Sequence, residues 1–268
     1  MNKPVSTIVK TVLFFAGWAA AISFTPDGPF SNPAIRRLWW EFAPLAAAVL
    51  FTVLFVRFVE RGRISVPLAP HFFKNTLLGI AAGTLWLGST VAVLLLTDTM
   101  AIHGRNEVDY IWIWILASLL NVAMQELLVR GYLYQLWKRS SSRLAAGAVT
   151  TLLFVLMHGG AFEAGIIPVL NVVTMSIFMT LLLEYTGSLI APVLAHFVWN
   201  TAGAVILGGV SLAGDYPKLY NSSFQGSALL SGGGYAIEGS VVVLIINIAL
   251  ITGVLVLNRT AARYIKAT

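Results

Sequence analysis

Eight runs of mostly apolar residues, each close to the length of a membrane span, dominate this chain and restrict what it can become. They cover approximately 8–24, 38–58, 76–97, 109–137, 145–162, 166–185, 188–210 and 237–257. A helix needs about 20 such residues to cross the hydrocarbon core. Lipid offers no hydrogen-bond partners, so the backbone of each run must satisfy itself as a helix. The expected fold is therefore all-α: a polytopic membrane helical bundle of about eight transmembrane helices. Composition agrees, with 58% hydrophobic and only 10% charged residues, against about 25% charged in soluble domains. Residues 1–268 read as one integral-membrane domain, with no visible internal repeat.

Charge distribution sets the expected orientation. With the N-terminus inside, twelve of the seventeen Lys and Arg, from Lys3 and Lys10 to Arg263 and Lys266, fall on the cytoplasmic side. Four, Arg36, Arg37, Arg105 and Lys218, fall outside, and Arg130 lies within a span. The positive-inside bias thus places both termini in the cytoplasm. It also explains the net charge of +6 without nucleic acid as a partner. The first apolar run lacks a small-residue cleavage site and reads as a retained helix rather than a signal peptide. The basic, proline-interrupted segment 61–74 reads as an interfacial or solvated loop. Residues 211–239, rich in Gly and Ser, read as an outer flexible connector rather than a lid. The absence of Cys excludes disulfides, thiolate metal sites and a cysteine nucleophile.

Ionisable groups inside the spans are costly and mark function by default. Glu126 and Arg130, four apart, share a helix face, and Gly131 permits a close approach. His158 lies in the fifth run, with Phe154 four residues before it, and His196 and Asn200 share a face of the seventh. At about 1.5 Å per residue, these groups reach overlapping depths of roughly 12–22 Å from the inner face. One carboxylate, two imidazoles and an amide are thus expected to meet in a polar mid-membrane cavity. Glu41, beside Trp39, Trp40 and Pro44, reads as interfacial. Taken singly, each group has a plain structural reading as an ion pair, a helix–helix hydrogen bond or core packing. Taken together, they suit water-activating hydrolysis, ion or proton transport, or, less well, a zinc site formed by Glu126, His158 and His196. No H-E-x-x-H sequence supports the metal.

The run Gln125-Glu126-Leu127-Leu128-Val129-Arg130-Gly131 resembles the E-E-x-x-x-R motif of the CAAX protease and bacteriocin-processing family. Phe154-Val155-Leu156-Met157-His158 resembles its F-x-x-x-H motif, and His196-Phe197-Val198-Trp199-Asn200 its H-x-x-x-N/D motif. The lead-in from Gly187 to Pro192 is also similar to the family's. The three motifs occur in the family's order and cover approximately 117–205. The resemblance implies a helical membrane bundle with a conical cavity and an intramembrane endopeptidase, often labelled a metalloprotease. It implies catalytic roles for Glu126, His158, His196 and Asn200, with His158 orienting water and His196 and Asn200 forming the oxyanion hole. Gln125, Arg130 and Phe154 would support them. It further implies membrane lipid and a hydrophobic or lipid-modified peptide as partners, and a bacterial plasma-membrane setting.

One departure matters. The family's first acid, its proposed base, is Gln125 here. An amide takes no proton from water, and successive helix residues point about 100° apart. Glu126 also faces Arg130, and an Arg partner makes a carboxylate a poorer base. The alternative reading is therefore a non-catalytic relative acting in bacteriocin immunity or as a membrane scaffold.

Overall fold

The computed structural model describes residues 3–267, with side chains from 4 to 258. The side chains of Lys3, Arg259, Arg263 and Lys266, used to orient the chain, lie outside the described residues. In chain order the helices are α1 Lys3–Ser23, α2 Pro33–Leu54, α3 Phe72–Leu96, α4 Ile111–Glu126, α5 Tyr134–Ser140 and α6 Arg143–Met157. They continue as α7 Gly160–Ala164, α8 Ile166–Thr186, α9 Ile190–Asn200, α10 Ala228–Ser231, α11 Ala236–Gly239 and α12 Val241–Ala267. Two short strands, β1 Met100–Arg105 and β2 Tyr220–Phe224, complete the fold.

Among the described residues, six helical stretches are long and apolar enough to cross a membrane, and two more, Arg143–Met157 and Ile190–Ile206, are apolar but shorter. A polytopic helical bundle is what the apolar runs require. Three helices pass directly into π-helical turns, at Phe55–Val59, Leu127–Leu133 and Thr201–Ile206. Two of these turns begin immediately after Glu126 and Asn200. Such turns are rare and concentrate at functional sites.

The chain divides into two compact units, each assembled from separated stretches. The first takes Met1–Leu68 and Asp109–Leu153. Asn32 starts its α2: the side-chain carbonyl accepts from Ala34 and Ile35 N–H, and Pro33 follows where a missing N–H costs nothing. Within this unit α2 packs along α4, and Phe14 of α1 stacks near Tyr132 with ring centroids 4.6 Å apart. Polar contacts bind α1 to the rest of the unit. Lys10 Nζ lies 2.6 Å from Glu60, a carboxylate that also accepts from Tyr132 at 3.2 Å, Trp137 Nε1 donates to Thr11 at 2.9 Å, and Trp18 Nε1 donates to the Pro44 carbonyl at 3.0 Å. The basic segment after α2 is held as well, since Arg139 donates to the Arg63 carbonyl.

The second unit takes Ala69–Val108 and Phe154–Thr268. Its centre is α3 against α9. A Cβ on Gly79 would lie 2.6 Å from the Ala191 carbonyl oxygen, and one on Gly83 2.6 Å from that of Ala195. Two small-xxx-small faces thus meet backbone to backbone, the close approach that drives helix pairing in lipid. Trp86 then stacks on Trp199 at 3.9 Å between centroids. Asn171 of α8 donates to the Glu238 and Ser240 carbonyls, and Asn247 of α12 donates to Thr174 at 2.8 Å.

Three expectations need correction. Residues 211–239 are not a plain connector. They hold β2, which pairs antiparallel with β1 with an irregularity between Ile102 and Arg105. They also hold α10 and α11, tied back by Ile237 N–H to the Gly209 carbonyl and by Ser211 N–H to Glu238 at 2.8 Å. Backbone pairing, invisible in a Gly/Ser-rich composition, supplies the order. The fifth span stops at Met157 rather than near 162, so His158 occupies a turn and is not within a helix. Glu41, read as interfacial, does not face solvent: it is 5% exposed and bonded within the first unit.

Candidate active site

In the first unit, the polar face of α4 runs directly into the π-helical turn. Glu126 closes α4 and Arg130 lies one turn later, both 0% exposed, with Arg130 Nη1 3.1 Å from Glu126 Oε1. Burying either charge alone would cost several kcal/mol, about 3–5 when one partner of a buried pair is removed. Gly131 lets Leu127 pack against its backbone, since a Cβ there would meet Leu127 Cδ1 at 2.9 Å.

Gln125 points to other partners. Its Nε2 donates to Asn121 Oδ1 at 2.8 Å, and Asn121 Nδ2 donates to Glu41 Oε2 at 2.9 Å. Glu41 also takes Arg37 Nη1 at 3.3 Å. The same helix pair flanks an apolar pocket of about 290 Å³ lined by residues such as Trp39, Phe42, Leu116 and Leu120. With no polar side chain in its lining, that pocket offers packing and no chemistry.

In the second unit, Phe154 joins the two histidines. It is fully buried. Its ring centroid lies 4.3 Å from that of His158 and 6.0 Å from that of His196, the latter edge-on. His158 Nδ1 lies 2.7 Å from the Phe154 carbonyl oxygen. A carbonyl only accepts, so Nδ1 carries a proton, and in the neutral form of the ring the lone pair is on Nε2. The turn that ends α6 thereby orients the imidazole. His196 and Asn200 lie on one face of α9, 1% and 6% exposed, and Trp199 between them is held by Trp86.

The structure therefore places Gln125, Glu126 and Arg130 in the first unit, and gathers Phe154, His158, His196 and Asn200 in the second. Among the described residues no three His, Asp or Glu side chains are gathered to hold a metal ion. Sequence reading missed Asn121 as the partner of Gln125 and Glu41 as the partner of Asn121, although their residue types were visible. It also missed the Gly79–Gly83 stripe that positions α9, whose G-x-x-x-G spacing is readable in the sequence.

The molecule is an integral-membrane helical protein with buried carboxylate, imidazole and amide groups. Residues 107–202 match the family model described as Rce1-like, type II CAAX prenyl endopeptidase. The match spans roughly a third of the chain and includes all three motifs, so the resemblance to the CAAX protease and bacteriocin-processing family holds. That family implies an enzyme of the peptidase type. No curated protein and no solved structure matches the chain.

Proposed function

We propose that this protein is a CAAX-protease-like intramembrane endopeptidase acting on an apolar or lipid-modified peptide, with both termini cytoplasmic. The observation that carries the reading is the Phe154 ring set against both imidazoles, on a segment that matches a peptidase family. His158, its tautomer fixed by the Phe154 carbonyl, offers Nε2 as an acceptor for a proton of the attacking water. Water oxygen bonds to the scissile carbonyl carbon, the carbonyl oxygen becomes an oxyanion, and His196 and Asn200 donate hydrogen bonds to it. The abstracted proton passes to the leaving amine as the C–N bond breaks. Purified protein in detergent is expected to cleave a fluorogenic apolar peptide. His158→Ala and His196→Ala should each lower kcat about 100-fold or more. Full activity in both variants would remove the reading. One observation favours a second reading: Gln125, in place of the family's first acid, suits a non-catalytic binder of such peptides. Cleavage that arises only in Gln125→Glu would establish it.

A further inference from the structure

The basic end of the first unit takes no part in the hydrolytic scheme. Two membrane-length helical stretches, Pro33–Val59 and Ile111–Ser140, finish there. At those ends, segments 57–63 and 138–143 carry six cations, five of them Arg, against one acid, Glu60. Glu60 is 7% exposed and already engages Lys10 Nζ and the Tyr132 hydroxyl. It is not left to balance the arginines. The two segments are joined, because Arg139 donates to the Arg63 carbonyl. Positive charge is thus concentrated on one small surface.

The turn that builds this surface has an unusual backbone. Gly62 N–H returns to the Val56 carbonyl at 2.8 Å, and Arg63 N–H to that of Glu60 at 3.1 Å. Arg61 and Gly62 both have positive φ, +52° and +72°. That conformation suits Gly62, which has no Cβ. It is unfavourable for Arg61. A cation therefore occupies a position where glycine fits better, and an outlier of this kind points toward function. The Arg61 side chain is exposed, and it has no hydrogen-bond or charge partner among the described residues.

The surroundings do not suit a purely aqueous loop. Phe58 is 65% exposed beside Arg57, and Leu144 is 85% exposed beside Arg143. The Arg57 guanidinium carbon lies 5.9 Å from the Phe58 ring centroid. Exposed apolar side chains next to arginines, where spans end, fit the boundary between acyl chains and headgroups. A guanidinium can meet two phosphate oxygens at once, which an ammonium cannot do.

We propose that the turn at residues 60–63, together with Arg139, is a binding site for the phosphate of an anionic phospholipid, with Arg61 as its principal contact. Phe58 and Leu144 favour a lipid over an acidic peptide or free phosphate, since acyl chains would cover both. The site stands apart from peptide hydrolysis and does not depend on it.

The probe is phosphatidylglycerol, added to the full-length protein in a neutral detergent, with phosphatidylcholine of the same chains as the comparison. At saturation phosphatidylglycerol should raise the thermal midpoint by about 5 °C or more, and added salt should reduce the rise. Arg61→Gly should melt at or above the natural protein without lipid, because its backbone is relieved. It should nevertheless lose at least about half of the lipid-dependent rise. Arg36→Gln removes the same charge elsewhere and should keep the full rise. An equal rise with phosphatidylcholine overturns the proposal, as does a full rise in Arg61→Gly or an equal loss in Arg36→Gln. An equal rise with inorganic phosphate or a polyglutamate peptide also overturns it, in favour of a soluble anion. If Arg61→Gly fails to fold, Arg63→Gln on the same turn decides: a reduced rise supports the site and an unchanged one overturns it.

Discussion

The two units bury their polar groups by opposite means. In the first, carboxylates carry the design: Glu41, Glu60 and Glu126 are all buried, and each faces a cation, Arg37, Lys10 or Arg130. In the second, the buried polar side chains are mostly amides and hydroxyls, with Asn171 and Asn247 bonded to carbonyls and a hydroxyl. The geometry there comes from glycines against backbone and from stacked rings. Charges fix individual side chains, at the cost of a large penalty if one partner is lost. Close packing fixes whole helices, at the cost of tolerance to added volume.

Substitutions in both units test that contrast. Arg130→Leu should be the most damaging, destabilising by about 3–5 kcal/mol, because it strands Glu126 without its cation. Pairing it with Glu126→Leu should recover most of the loss in thermal unfolding. A single variant no less stable than the double would contradict the charge-based account.

Gly83→Ala should cost about 1–3 kcal/mol, since its Cβ would lie 2.6 Å from the Ala195 carbonyl oxygen. The displaced helix carries His196, so peptide cleavage should fall further than stability does. Gly88→Ala is the control: no atom lies within 4 Å of a Cβ there, and the change should be neutral or stabilise by up to about 1 kcal/mol. Equal effects at the two sites would remove the packing argument.

The smallest effect concerns Glu238, outside the spans. Burial raises its carboxyl to about 7, while the Ser211 hydrogen bonds oppose that rise. The folded state therefore holds the proton more tightly than the unfolded chain. Its contribution is fully present below the ordinary value of 4.5 and is lost as pH rises through about 7. The difference in melting temperature between the natural protein and Glu238→Gln should change across that window, the natural protein losing ground as pH rises. A difference independent of pH would show that the carboxyl does not titrate there.

Much of the site was legible because its signals are local. Glu126 and Arg130 pair at the i,i+4 spacing that their numbers announce, and His196 and Asn200 share the face their spacing requires. The association of Phe154 with His158 is also local, although the helix ends just before the histidine. The contact of Phe154 with His196 spans many residues and has no local signal; matching depths bring only the two imidazoles together. Glu41 was misread because its neighbours in sequence, Trp39, Trp40 and Pro44, suggested an interface. Its actual partner, Asn121, lies 80 residues away.

Sequence alone settled that this chain is a helical membrane protein and which segment carries the motifs of the family it resembles. Apolar run length and the lack of hydrogen-bond partners in lipid leave a backbone no other choice. Tertiary structure decided where helices loosen into π-turns after Glu126 and Asn200, how residues 211–239 become ordered, and which way the Gln125 amide faces. Those outcomes turn on single hydrogen bonds and ångström-scale contacts between distant residues, and nothing in the local sequence specifies them.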